Sequence, residues 1–402
     1  NSDIIAIVKA LHAELGRQQL ETEISIVESG DIKSWYQLNA ERTGKYKMNY
    51  GNYLAELIGN PEISGLIARH FAGHSYWSDR LSSQLVEDRV VARGHFMPYF
   101  DQGWTYWVTE YCILDGPEGA KGDGRDLTIK TALDVARVIH FDLTVLDASS
   151  WSWWTAVSPE DYKDGLIYTN YRSNPSSQSI IESKILWAFG NYSRYIRPGA
   201  QRIKLVGANN KLGLMGSAYL NEAGDQITVV FVNVADKEVT VSLRIDGLDA
   251  NDAVTHFTPY VTSNKNTDNL REYPVISVDS TYAVPARSVV TLVGEIEGAA
   301  KIDAGAWISP HSAHLVKSYP NPFNARTRID FELARPANIE LHIHNNRGQR
   351  VRTLFSGQLA AGAHSLVWDA SDDRGVQVSS GVYLCSLSAA GKIDSLKLLL
   401  MQ

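Results

Sequence analysis

Glu28, His74, Tyr76, Trp77, Glu110, Trp151 and Trp153 are the residues whose types and spacing could do chemistry. They sit in the runs TEISIVE, GHSYW, WVTEYC and SSWSWW. These runs recur about every 40 residues, the size of one βα unit. Each closes or follows a segment that reads as a short strand: Thr22 to Glu28, Ala68 to His74, Trp104 to Glu110 and Leu143 to Ser149. If those strands are parallel, their carboxyl ends form one rim. Two carboxylates, a His–Tyr pair and several indoles then converge there. Flat rings stack on sugar faces, and carboxylates supply a nucleophile and a proton, so the set meets the needs of glycoside hydrolysis. Each member also has a plainer reading. Glu28 could be a helix cap or ion-pair partner, His74 a satisfied core residue and the Trp cluster barrel filling. Glu110 alternates in phase with Trp104, Tyr106 and Val108, and a charge in apolar company needs a reason. The convergence is stronger than any member.

The elements that must position these residues alternate. Between the strands lie amphipathic stretches. Leu81, Leu85, Val86 and Val90 mark one apolar face, and Leu133, Ala136 and Ile139 another, with Asp126 as its N-cap. Ile181, Ile185, Leu186 and Phe189 mark a third, stopped by Arg197-Pro198-Gly199. Alternating βα units imply a parallel sheet with helices outside. A closed barrel needs eight strands and about 250 residues. Four strands are present, and the helix from Ile4 to Leu15 reads as the one before a fifth unit. The fold class is therefore α/β plus all-β, opening with the carboxyl-terminal half of a (β/α)8 TIM barrel. Core-facing Ile24, Ile26, Ala68 and Val145 would lack partners. From Gln201 the period becomes two, as in Ile227, Val229 and Phe231, which reads as a β-sandwich. A third all-β unit from Tyr319 suits an immunoglobulin-like sandwich. The expected division is 1–200, 201–298, a Gly/Ala-rich linker at 299–317, and 318–402.

Composition excludes several classes. The 402 residues are 44% hydrophobic and 21% charged, with net charge −7 and no dense Lys/Arg block. That disfavours whole-chain disorder and a nucleic-acid partner. No apolar run is long enough to span a membrane. Cys112 and Cys385 are far apart, which argues against a disulfide framework and a Cys-based zinc site. The chain starts at Asn1 without a basic-then-apolar leader, so a removed signal peptide or a fragment is expected. No phosphate-loop, zinc-protease or nucleophile-elbow motif is present, and no cofactor or metal is expected. The Gly-rich run 116–124 reads as a rim loop. Asp115/Glu118 and Asp123/Asp126 offer a minor calcium alternative.

WVTEYC, GHSYW and the stretch WSWWTAVSPEDYKDGLIYTNY with SKILWAFGNYSRYIRP resemble glycoside hydrolase family 30 over roughly residues 1–298. The resemblance implies a barrel fused to a β-sandwich and retention of anomeric configuration. It makes Glu110 the nucleophile that ends the seventh strand. It places His74 and Tyr76 after strand six, Trp151 or Trp153 after strand eight, and Glu28 at the end of strand five, lining the cleft. The family's acid/base Glu follows Asn at strand four. Here the one Asn-Glu is Asn221-Glu222, in a sandwich turn, so that residue is missing from this chain.

Tyr319-Pro-Asn-Pro-Phe-Asn324, GQRVRTL, HSLVWDASDDRG and Ser380-Gly-Val-Tyr383 resemble the carboxyl-terminal sorting domain of the type IX secretion system, and partly flagellar-hook-type immunoglobulin domains. Asp369, Asp372 and Asp373 are expected to be solvated turn acids. Together the resemblances imply part of a secreted or cell-surface bacterial endo-hydrolase acting on β-1,6-galactan or glucuronoxylan, with β-glucosyl polymers a third option. The other reading is a non-catalytic cell-surface glycan-binding protein. The expected partners are the polysaccharide and the type IX machinery.

Overall fold

The computed structural model describes residues 1–38, 51–80, 84–114, 121–174, 176–248, 252–298, 313–333, 337–360, 362–389 and 392–401. The chain divides into two units: Asn1–Ile5 with Ser25–Lys301, and Ala6–Ile24 with Ile302–Gln402. The first holds the rim. Strands β1 (Glu28–Ser29), β2 (His70–His74), β3 (Thr105–Glu110) and β4 (Ser150–Trp151) pair in sequential order, all parallel. Helices α2 (Arg89–Phe100) and α3 (Ile129–Thr144) occupy the crossovers after β2 and β3. This is the half-barrel that the spacing predicts. The amino-terminal helix α1 spans Ser2–Arg17; Val8 on it is buried, while Ile7 and Leu11 are exposed.

Several boundaries move. The first strand shrinks to Glu28 and Ser29, because Val27 takes a positive φ of 28° just before the ladder begins. The fourth lies beyond its expected place. Leu143 and Thr144 finish α3, the amides of Val145 and Leu146 close on the Phe141 carbonyl, and pairing starts at Ser150. The run LTVLDAS is therefore a helix end and a turn. Thr128, not Asp126, caps α3 by accepting from the Lys130 amide. Asp126 instead accepts from the Thr128 amide at 2.8 Å and the Thr131 hydroxyl at 2.5 Å, so both its oxygens are engaged at the start of α3. In α2 the buried side chains are Arg89, Ala92 and Phe96, and Val90 faces out. Helix α4 (Lys184–Ser193) starts after Ile181, which lies in a short strand. Leu81 lies outside the described residues.

The two faces of the parallel sheet differ. Phe71, Tyr106 and Val108 are fully buried, and Phe71 and Tyr106 pack on Phe96 of α2. On the opposite face His70 stacks on Trp107 at 3.9 Å and Ser25 Oγ meets His70 Nε2 at 2.8 Å, with Ser25, Thr105 and Trp107 exposed. Of the four residues expected to be stranded, Ile24, Ile26 and Ala68 are buried and Val145 is half-buried against the core. The open face is thus lined by polar and aromatic groups rather than aliphatic ones. Gly73 is obligatory in β2: a Cβ there would lie 2.7 Å from the Tyr106 hydroxyl and 3.0 Å from the Ser29 carbonyl.

The same unit contains an antiparallel sheet built on Leu214–Leu220, Gln226–Asn233, His256–Ser263 and Ser288–Glu295. One face packs on the two-stranded sheet Val239–Ser242 with Thr281–Val284, giving a sandwich core around Val229, Phe231 and Leu292. The other packs on α3 and α4 through Val230, Val232 and Val289. Two covered faces explain why QITVVFVN is apolar on both phases.

The second unit is a sandwich of three strands (Ala313–Tyr319, Thr327–Leu333, Gly362–Trp368) and four (Ala337–Asn345, Arg350–Leu359, Gly381–Ala389, Lys392–Leu400). Trp368, Ile329, Leu341 and Cys385 form its core. Its first strand begins inside the stretch read as linker; residues 299–312 lie outside the described set.

Candidate active site

Glu110 reaches the open face through a β-bulge. Along β2 and β3 the register runs Gly73 with Val108, then His74 with Glu110, leaving Thr109 as the extra residue. Without the bulge Glu110 would follow Tyr106 and Val108 under the helices. With it, Glu110 shares the His70–Ala72–His74 face. The alternation expected from sequence is therefore corrected: Glu110 departs from its apolar set.

Around it the geometry is tight. The Tyr76 hydroxyl donates to Glu110 Oε1 at 2.7 Å, and His74 Nδ1 lies 3.7 Å from the same oxygen. His74 Nε2 lies 3.9 Å from Glu28 Oε2, so the imidazole stands between the two carboxylates. Glu110 is 27% exposed and Glu28 56%. Burial, with Cys112 and Glu110 close by, pushes the Tyr76 phenol far above its ordinary range. Burial likewise pushes the Cys112 thiol, 3.6 Å from the Tyr76 oxygen, up to about 12. Tyr76 therefore keeps its proton at neutral pH and serves as a donor to Glu110.

The aromatic residues form a second side. Trp151 and Trp153 stack at 6.4 Å with 23° between planes, and both lie against Tyr111. Trp153 Nε1 donates to the Asp164 carbonyl at 2.7 Å. Trp77, beside Tyr76 at 6.0 Å, adopts a φ of 59° and lies over Gly30. Trp154 is the exposed member of the run. The structure thus brings Glu110, His74 and Tyr76 into one contact set, places Glu28 at its margin and sets Trp151 and Trp153 alongside. Asp115 and Glu118 lie outside the described residues. Asn221-Glu222 is a sandwich turn: the Asn221 side chain accepts from the Asp225 and Gln226 amides at 3.0 Å each.

Sequence reasoning passed over the residues behind the rim. Asp142 and Arg89 form a fully buried ion pair at 2.7 Å, and the Tyr111 hydroxyl donates to buried Asp79 at 2.7 Å. The available signal was a charge inside the apolar helix run VARVIHFDLT.

With this geometry in place, likeness to known proteins becomes informative. Residues 1–168 match O-glycosyl hydrolase family 30, and residues 199–292 match the glycosyl hydrolase family 30 beta sandwich domain. Residues 320–392 match the FlgD Ig-like domain. A conserved exported protein from Bacteroides fragilis is similar at 26% identity and TM-score 0.60, over 73% of this chain and 59% of that one. A family 30 endoxylanase from Clostridium papyrosolvens shares the fold at 16% identity and TM-score 0.51, over 73% and 60%. The catalytic domain of xylanase C from Talaromyces cellulolyticus does so at 20% and 0.50, over 72% and 56%. The chain thus spans about three fifths of the length of these structures. Among the described residues no helix is long and apolar enough to cross a membrane.

Proposed function

We propose that this chain is the nucleophile-bearing part of a retaining endo-glycoside hydrolase acting on a β-linked polysaccharide. Glu110 attacks the anomeric carbon. Tyr76 holds the attacking carboxylate, His74 and Glu28 line the cleft, and Trp77, Trp151 and Trp153 offer sugar-stacking faces. The carrying observation is the bulge that turns Glu110 onto the open face within 2.7 Å of a phenol that keeps its proton. A carboxylate upstream of Asn1 protonates the leaving oxygen and then activates water, about 5 Å from Glu110 in a retaining enzyme. The substrate reading is β-1,6-galactan or glucuronoxylan. In this proposal residues 1–200 are the barrel half, 201–298 its sandwich, 299–317 a linker and 318–402 an export module of a secreted or cell-surface protein, addressed to a type IX system.

The test is hydrolysis of each polymer by a protein extended upstream to restore four further βα units. Cleavage with retained configuration, lost in Glu110→Gln, is the expected result. No cleavage of any polymer would sink the enzyme reading and favour a glycan-binding protein whose aromatic rim holds without cutting. Deleting 318–402 should stop export while leaving specific activity near normal.

A further inference from the structure

Asp142 has no accessible surface, yet it gathers donors from three other elements. Arg89 Nε, at the first turn of α2, donates to Oδ1 at 2.7 Å. The Ser75 hydroxyl, in the loop after β2, donates to Oδ2 at 2.8 Å. Trp151 Nε1, at the end of β4, donates to the same oxygen at 2.8 Å. Arg89 also donates through Nη1 to the Ser78 and Leu85 carbonyls at 2.7 and 2.8 Å, and the Ser78 hydroxyl closes on the Ser75 carbonyl at 2.8 Å. A buried carboxylate is tolerated only when paired and hydrogen-bonded, and this one is both.

The connections lead to the rim. Ser75 sits between His74 and Tyr76, the two residues on Glu110. Trp151 carries the indole face that packs on Trp153 and Phe189. One buried group therefore sets two rim segments from different strands. All three partners donate, so the group must offer acceptors only. An amide at this position would turn its N–H₂ either toward the guanidinium or toward the indole N–H, neither of which can accept.

We infer that Asp142 is a positioning residue: from behind the sheet it fixes Tyr76 and Trp151 relative to Glu110. In its catalytic consequence this rests on the function proposed above, while its geometric content does not.

The experiment uses the upstream-extended protein labelled with 15N at tryptophan. The Trp151 indole N–H signal, assigned by its loss in Trp151→Phe, should exchange slowly with water. In Asp142→Asn it should shift and exchange at least tenfold faster, while the buried Trp35 indole of the same unit stays put as a folding control. Polymer hydrolysis should fall about 30-fold, with kcat lowered through Tyr76 and KM raised through Trp151, and Asp142→Glu should recover part of it. Unchanged exchange together with unchanged kinetics overturns the inference. If the parent cleaves nothing, the function reading fails and the indole signal alone decides this one. If Asp142→Asn does not fold, Ser75→Ala, which keeps the Arg89–Asp142 pair, decides: a several-fold lower kcat, or without activity a shifted Trp151 signal, supports the role, and no change in either refutes it.

Discussion

Two regions of this molecule place carboxylates beside a tryptophan, and they use them in opposite ways. In the C-terminal sandwich, Asp372 Oδ1 accepts from the Arg374 and Val376 amides, both at 2.9 Å, and its Oδ2 from the Arg374 guanidinium at 2.9 Å. Asp369 accepts from the Ser371 hydroxyl at 2.5 Å and from Arg352 at 3.0 Å, and Asp373 from the Thr353 amide at 2.9 Å. The Val376 amide, with Arg374, holds the Asp372 carboxyl below its ordinary range; the Ser371 hydroxyl does the same for Asp369. These acids are consumed by their own turn and by Arg352 and Thr353 of the strand Arg350–Leu359, and the adjacent Trp368 is sealed, with Nε1 on the Ser371 carbonyl at 3.0 Å. At the rim, Glu110 meets a phenol and an imidazole, from a different strand and its loop, and stays partly exposed. A carboxylate whose oxygens are filled by backbone amides and guanidinium groups stabilises a turn. One that meets a neutral phenol and an imidazole, on an open face, is available to a ligand.

Mutation should separate the two regions. In the upstream-extended protein, Glu110→Gln should lower turnover about a thousandfold or more, about 4 kcal/mol of transition-state stabilisation. Asp372→Asn should leave turnover within about twofold, since it touches only its turn. Comparable losses in both would erase the distinction drawn above. Trp368→Ala is the converse. It should cost the C-terminal sandwich about 3–5 kcal/mol, seen as an early melt, while polymer hydrolysis persists. A sandwich that melts unchanged would mean that its core is not organised around that ring. Next in size is Tyr76→Phe. Losing a hydrogen bond to a charged group costs about 1.5–3 kcal/mol, so kcat should fall about 10- to 100-fold with little change in fold. An unaltered kcat would show that the phenol does not support Glu110.

The fold class was legible because strand ends and helix faces repeat at βα spacing, and because alternation begins after Gln201. The rim was legible as motifs: His74, Tyr76 and Glu110 do meet. Three things were not. The bulge at Thr109 inserts one residue into a ladder, and alternation read along one strand cannot see its partner's count. The fourth strand was misplaced because LTVLDAS alternates acceptably, yet its first residues complete a helix whose surroundings are buried almost all round. Asp142 looked like one charge among apolar neighbours; its partners Ser75, Arg89 and Trp151 are separated from it by 67, 53 and 9 positions and meet it only through the sheet.

The smallest effect concerns pH, and it again divides the regions. On α3, burial, with Arg202 adding, lowers His140 to about 4 from an ordinary 6.5. Burial raises Asp134, on the same helix, to about 6 from 3.8, with Arg137 opposing. The depressed His140 contributes stability that is full above about pH 6.5 and is lost as pH falls through about 4. The raised Asp134 contributes stability that is full below about pH 3.8 and is lost as pH rises through about 6. Between pH 6.5 and 4 the two slopes oppose, so the first unit should show a shallow acid limb. Among the described residues His140 Nδ1 has no hydrogen-bond partner to lose, so His140→Leu is a mild change. It should leave Asp134 to dominate and turn the slope of unfolding free energy with pH by up to one proton, about 1.4 kcal/mol per pH unit at the steepest point. The C-terminal sandwich, whose Asp369 and Asp372 are held low, should keep its own pH slope in the same variant. Chemical denaturation at four pH values, read separately for each unit, decides it: an unchanged slope in the first unit would show that His140 is not held neutral by burial.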